Sequence, residues 1–196
     1  MLVLAIDTSG KQGSIALARA GDRSADQPDV EVIKIASLVG GTFSAELVPQ
    51  IAALLSSDGF SKADIGAFVV ASGPGSFTGL RIGLAAVKAL AEVLNKSIAA
   101  VSLLEVCVFI SGSEGKVMAA LDAGRGDVYV GEFDVSTRSA PKLREHILTR
   151  SEFLSRARGW TVVTPDSALA EAAIAAGLSV SRLAAGSTCF PATAKT

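Results

Sequence analysis

Val3-Leu4-Ala5-Ile6-Asp7, an apolar run closed by an aspartate, recurs later in the chain as Met118-Ala119-Ala120-Leu121-Asp122. The surroundings recur with it. Each aspartate is followed by a small-residue turn with glycine, Thr8-Ser9-Gly10 in one case and Ala123-Gly124 in the other. Each turn leads into a second apolar strand pattern, Ser14 to Ala18 and Val128 to Phe133. An internal duplication constrains the architecture more than any single element does. It predicts an α/β protein of two similar halves, residues 1–103 and 104–196, each a mixed sheet flanked by helices. Two such halves, each with an aspartate at the end of its first strand, imply two lobes and a cleft between them.

Outward from the first copy, Val30 to Leu38 alternates well enough for a third strand, and Gly40-Gly41 ends it. Phe43, Leu47, Val48, Ile51, Leu54 and Leu55 share one helical face. Pro49 interrupts that face, which predicts either a kink or a true helix start near Val48. Asp58-Gly59 closes the helix. Ile65 to Ala71 reads as a buried strand. Ser97 to Val101 reads as another, and Ser102 with Glu105 forms a capping-box pattern for a helix through about Ile110. The first half thus runs β-β-β-α-β-α-β-α. The second continues with a strand near His146 to Leu148, a helix from Ser151, a strand from Trp160 to Val163 and a helix from Asp166 to Ala176.

Between the buried strand and the next helix lies Ser72-Gly73-Pro74-Gly75-Ser76-Phe77-Thr78-Gly79-Leu80-Arg81-Ile82-Gly83. Its glycines and proline predict a tight loop, and Ser76 or Thr78 can cap the helix that runs to about Leu94. Gly79, Gly83 and Ala86 share one helical face, while Leu80, Leu84, Val87, Ala91 and Leu94 make a separate apolar stripe suited to covering the sheet. The small-residue face has two readings. One is close packing on the protein's own sheet. The other is a helix–helix interface with a second chain.

Composition narrows the function classes. A hydrophobic content of 49% with 19% charged residues is that of a globular chain. Lys plus Arg total 18 against 19 Asp plus Glu, a balance that argues against gripping nucleic acid by net charge alone. The opening Met1 to Asp7 lacks the basic region and long apolar stretch of a signal peptide, and no apolar run approaches a bilayer's width, so the expectation is a cytoplasmic protein with no membrane contact. Cys107, in an apolar stretch far from Cys189, reads as a buried free thiol.

The residues for chemistry are sparse. His146 is the only histidine and sits in a strand pattern, so no metal-ligand cluster is expected. No Gly-x-Ser-x-Gly elbow marks a nucleophile. Asp7 and Asp122 can hold magnesium through water, with Thr8, Ser9, Gly75 and Ser76 about a phosphate, or they can be turn-formers and nothing more. The segment Arg138 to Arg158 carries six Lys or Arg residues, which reads either as a tRNA contact or as a solvated face.

Three stretches together resemble one family. They are Leu4-Ala5-Ile6-Asp7-Thr8-Ser9, the loop Gly73 to Gly83, and Leu121-Asp122-Ala123-Gly124-Arg125-Gly126-Asp127-Val128-Tyr129. In these the chain is similar to the TsaB (YeaZ) family over roughly its first 135 residues and more loosely beyond. The resemblance implies the duplicated actin-like (ribonuclease H-like) ATPase fold. It implies a non-catalytic subunit of the machinery that makes threonylcarbamoyladenosine beside the anticodon of some tRNAs. The implied partners are the related TsaD catalytic subunit, the TsaE ATPase, a second copy of the chain when alone, and tRNA through the complex. No resident cofactor is implied; ATP and magnesium enter only with the assembled complex. Pairing through the first-half helices implies an interface containing Phe43, Leu47, Gly79, Arg81, Gly83, Ala86 and Leu90. The chain departs from the family in two places. Phe43-Ser44 stands where His-Ser is usual, and Ser187-Thr188-Cys189-Phe190-Pro191 stands near the end in place of a Pro-x-Tyr-Leu-Arg-type tail, which predicts a short or missing last helix. The rival readings are an ATP-dependent kinase or other nucleotide-binding enzyme of the same fold, a hydrolase or peptidase relic, and a self-associating protein without a TsaD partner.

Overall fold

The structure, a computed structural model, describes residues 1–21, 30–136 and 141–183. They fall into two compact units, one holding Met1–Val101 and the other beginning at Ser102. Arg138, Cys189 and the expected tail differences lie outside the described residues.

The first unit is built on β1 (Leu2–Asp7), β2 (Gln12–Ala20), β3 (Val30–Val39), β4 (Ile65–Gly73) and β5 (Ser97–Ser102), in the spatial order β3-β2-β1-β4-β5. β1 runs antiparallel to β2 and parallel to β4. Alternation then decides the core. Leu4 lies opposite Leu17 and Phe68, and Ile6 opposite Ile15 and Val70, so one sheet face is a continuous apolar layer. Helices α1 (Phe43–Ser57) and α2 (Phe77–Leu94) cover it, with Leu47, Ile51 and Leu54 from the first and Val87 and Ala91 from the second.

The second unit repeats the plan. Its strands are β6 (Gly115–Gly124), β7 (Asp127–Val135), β8 (Lys142–Thr149), β9 (Thr161–Thr164) and β10 (Ser179–Arg182), ordered β10-β9-β6-β7-β8. β6 is antiparallel to β7 and parallel to β9, as β1 is to β2 and β4. Met118, Ala120, Val130 and Val162 face helices α4 (Arg150–Arg156) and α5 (Ser167–Ala175). Val117, Ala119, Phe133 and Val163 face the other way, against Leu104, Cys107 and Val108 of α3 (Leu103–Ser111). This sheet is therefore apolar on both faces, which is why its first strand reads as an unbroken apolar run. Two five-stranded mixed sheets of one topology, from one repeated sequence pattern, make this the duplicated actin-like, ribonuclease H-like fold.

Local expectations fail at four points. α1 begins at Phe43, ahead of Pro49, so the late start near Val48 is wrong. Burial of Phe43 and Leu47 on the core side holds the first turns in place. The capping box at Ser102 is not made. That hydroxyl is buried without a partner, and Glu105 pairs instead with Lys142 at 3.4 Å. Boxes do form at Ser61 with Asp64, on a short 3-10 turn, and at Thr149 with Glu152, at the start of α4. The apolar stripe expected to cover the first sheet is also misassigned in part, because Leu84 points outward while Ile82, Ala86 and Leu90 pack on the core. Finally, β10 has no counterpart in the sequence reading; four residues are too few for a period to show.

Candidate functional site

In the first unit, the end of β1 is buried and locked. Asp7, Thr8 and Ser9 are all at most 9% exposed. One Asp7 carboxylate oxygen accepts from the Ser9 amide at 2.9 Å and from the Ser9 hydroxyl at 2.6 Å. The Thr8 hydroxyl donates to the Gly79 carbonyl at 2.7 Å. The Ser76 amide donates to the Ser9 carbonyl at 2.7 Å, and the Ser76 hydroxyl accepts from the Gly79 amide, capping α2. Asp7, Thr8, Ser9, Gly75 and Ser76 thus come together, and the protons of two hydroxyls on which a phosphate would draw are committed within the protein, that of Thr8 to the Gly79 carbonyl and that of Ser9 to the Asp7 carboxylate.

The same contact explains the glycines of α2. A Cβ on Gly79 would run into the Thr8 carbonyl, and one on Gly83 into the Thr8 hydroxyl. Gly79, Gly83, Val87 and Ala91 form the buried face of the helix. The expectation that the glycine face stays free for a partner is therefore corrected: that face is filled by β1's own turn. Phe43 and Leu47 are buried in the unit's core as well, and Ala86 and Leu90 are half-buried against it. Of the seven residues implied for an interface, only Arg81 is exposed.

What these helices do present outward was missed. α1 spans 15 residues, and its single charged residue, Glu46, is half-buried. Its exposed side carries Ala45, Val48, Pro49, Ala52 and Ala53 with a few uncharged polar residues. α2 adds Leu84, Ala85 and Ala89, and near its start Phe77, 73% exposed, with the Arg81 guanidinium 5.2 Å from its ring centre. A surface helix without an exposed charge is poorly suited to water and well suited to another protein. The sequence signal was there, in the absence of Lys, Arg and Asp from Phe43 to Ser57.

The second unit handles its equivalent turn differently. Asp122 is exposed; its carboxylate accepts from the Gly124 amide at 3.1 Å, and its own amide donates to the Asp166 carboxylate at 2.8 Å. Arg125 takes a left-handed conformation, φ 57°, and is exposed. On the face shared with α4, Glu132 is buried; its carboxylate accepts from the Arg156 guanidinium, and the His146 Nε2 lies 3.7 Å away. His146 therefore sits beside a carboxylate and a guanidinium, with no second histidine. Cys107 is free and buried, and burial, helped by the Asp166 charge, pushes its thiol up to about 11. Among the described residues no three His, Cys, Asp or Glu side chains group to hold a metal, and no helix is long and apolar enough to cross a membrane.

Comparison with known proteins agrees with this fold. Residues 37–159 match the family model described as "TsaD: tRNA N6-adenosine threonylcarbamoyltransferase". The tRNA threonylcarbamoyladenosine biosynthesis protein TsaB of Bacillus subtilis (strain 168) is 36% identical over 132 residues, 67% of this chain and 54% of that protein. The protein of the same name from Escherichia coli (strain K12) is 32% identical over 136 residues, 68% of this chain and 55% of its own. The chain spans about half the length of these curated relatives. Among solved structures, YeaZ from Pseudomonas aeruginosa superimposes with a TM-score of 0.60 at 26% identity, covering 82% of this chain and 74% of that one. With one family model over most of its length, TsaB proteins among its relatives and YeaZ as a structural neighbour, the chain belongs to the TsaB/YeaZ group of the TsaD family.

Proposed function

We propose that the chain is a non-catalytic subunit in the formation of threonylcarbamoyladenosine on tRNA. It docks through the outer face of α1 and α2 on a TsaD-type catalytic paralogue and holds it in a competent form. The observation that carries this reading is the chargeless exposed side of α1, flanked by Leu84 and Phe77 of α2. A helix pair of that kind suits a four-helix contact with a related helix pair, either a second copy or the paralogue. The turn at Asp7 to Ser9 supports a structural role for that segment, since its hydroxyls serve the protein's own loop. A TsaE-type ATPase and tRNA join through the assembled complex, and ATP with magnesium belongs to that assembly.

The test is size-exclusion chromatography with light scattering, on the chain alone and then mixed with the TsaD-type protein of the same source. The expected result is a dimer that exchanges into a heterodimer. Val48→Asp and Leu84→Asp change exposed side chains only, so both should keep the native far-ultraviolet spectrum while weakening association about tenfold or more. A chain indifferent to the paralogue, or variants that associate as well as the parent, would refute the docking reading.

A further inference from the structure

The second unit has a concavity at the end of its sheet opposite Asp122. It is about 620 Å³ in volume, within the range of about 300–1,000 Å³ that small-molecule sites occupy. Lys116 stands at the start of β6, Trp160 just before β9 and Ser179 at the start of β10, so the site lies where three parallel strands enter the sheet. Arg158 and Gly159 supply the wall before Trp160, and Gly177 the wall before β10.

Three features give this concavity a ligand chemistry. The first is charge. Lys116 and Arg158 both line it, and among the described residues neither forms a salt bridge. Glu114, also exposed on the lining, is the one opposing charge, so the three leave a net positive site. The cations are not needed to close the neighbouring helices. The end of α4 is tied by the Ala157 amide to the Phe153 carbonyl, and the end of α5 by the Leu178 amide to Ala173 and the Gly177 amide to Ile174. The second is the indole. Trp160 is half-buried against the second unit's core, and the Lys116 ammonium lies 5.9 Å from its ring centre, so charge and π-surface are presented together. The third is open backbone. Gly159 and Gly177 adopt φ of 81° and 74°, with no atom within 4 Å of where a Cβ would stand, so a ligand can approach the main chain there.

We propose that this concavity binds a nucleoside phosphate, the base against Trp160 and the phosphate between Lys116 and Arg158. Aromatic stacking tolerates any base, and two lining cations with no carboxylate salt bridge select for an anion. A nucleotide of an RNA strand and a free mononucleotide share this chemistry. Taking RNA as the natural source rests on the tRNA reading above; the chemistry of the site does not.

Trp160 is the chain's only tryptophan, so its emission reports this site directly. The full chain is titrated with AMP, with a short single-stranded oligoadenylate and with inorganic phosphate. AMP and the oligomer should change the emission saturably, and phosphate at the same concentration should not. Lys116→Ala and Arg158→Ala should each weaken binding about three- to tenfold, and Glu114→Gln should tighten it, all with an unchanged far-ultraviolet spectrum. An oligomer that binds more tightly than AMP and loosens with added salt identifies RNA as the source. Equal affinity identifies the free nucleotide. No saturable change at millimolar ligand, an equal response to phosphate alone, or full binding by the double variant would overturn the proposal. Val48→Asp should leave the titration untouched. A parent chain that ignores the paralogue but binds nucleotide refutes only the docking reading, and a parent chain that docks but binds no nucleotide refutes only this one.

Discussion

The two units are one design used twice, and the differences lie where the design meets its surroundings. In the first, β1 ends in a turn sealed beneath α2, with Thr8 in the notch left by Gly79 and Gly83. In the second, β6 ends in an exposed turn with Asp122 and Arg125 at the surface. The helices differ as well. α1 and α2 run 15 and 18 residues, while α4 and α5 run 7 and 9. Long helices present a broad outer face, and in α1 that face has lost its charges. The residues that follow the short α4 and α5, Arg158 and Gly159 after one and Ala176 to Leu178 after the other, wall the Lys116–Trp160 concavity. A repeated strand pattern therefore guarantees a repeated sheet but not a repeated surface. The sheet depends on alternation, whereas the surface depends on helix length and on which residues each helix turns outward.

The largest effects should come from the two cores. Phe68 and Phe153 are each 0% exposed, and truncation to alanine should cost about 3–5 kcal/mol in either unit. Urea unfolding followed by Trp160 emission separates the units. If they unfold independently, Phe153→Ala lowers the Trp160 midpoint and Phe68→Ala leaves it in place. Equal shifts would show a single cooperative transition and end the description of two separable halves.

Next in size is the glycine notch. Gly83→Leu should destabilise the first unit by about 3 kcal/mol through collision with Thr8, while Gly124→Ala, in open space at φ 78°, should cost the second about 1 kcal/mol. A stable Gly83→Leu protein that merely fails to associate would restore the partner reading of the glycine face. Smaller still are the caps. Ser76→Ala should cost about 1 kcal/mol because it strips the Gly79 amide of its acceptor. Ser102→Ala should cost nothing measurable or stabilise slightly, since that buried hydroxyl has no partner to lose. Thermal melts of the two variants check the contrast.

The smallest effect is a pH dependence shared by both units. The hydroxyl and amide of Thr149 hold the Glu152 carboxyl below its ordinary range, and the amide and hydroxyl of Ser61 do the same for Asp64. A carboxylate with a lowered folded-state pKa contributes stability above its unfolded pKa and loses it as pH falls through the lowered value. Amide protection at Thr149 and Ser61, measured relative to the intrinsic exchange rate at each pH, should therefore fall only on acidification below the usual carboxylate range. Protection that persists after both carboxyls are protonated would show that the boxes are held by the surrounding chain.

Much of the fold was legible because its signals are local. The duplication, the strand–loop–helix around Gly73 to Gly83 and the Ser76 cap each rest on residues close in sequence, where period and turn chemistry act directly. The scarcity of charge along α1, Glu46 alone, was equally visible, and went unread because a missing residue type makes no motif. Other features were decided only by the folded chain. That Gly79 and Gly83 receive Thr8, that Ser102 caps nothing, and that Lys116, Arg158 and Trp160 share one concavity all depend on contacts between residues far apart in sequence. A helical pattern tells which residues share a face. It does not tell what that face meets, because the free energy of burial is settled by the neighbour that tertiary packing supplies.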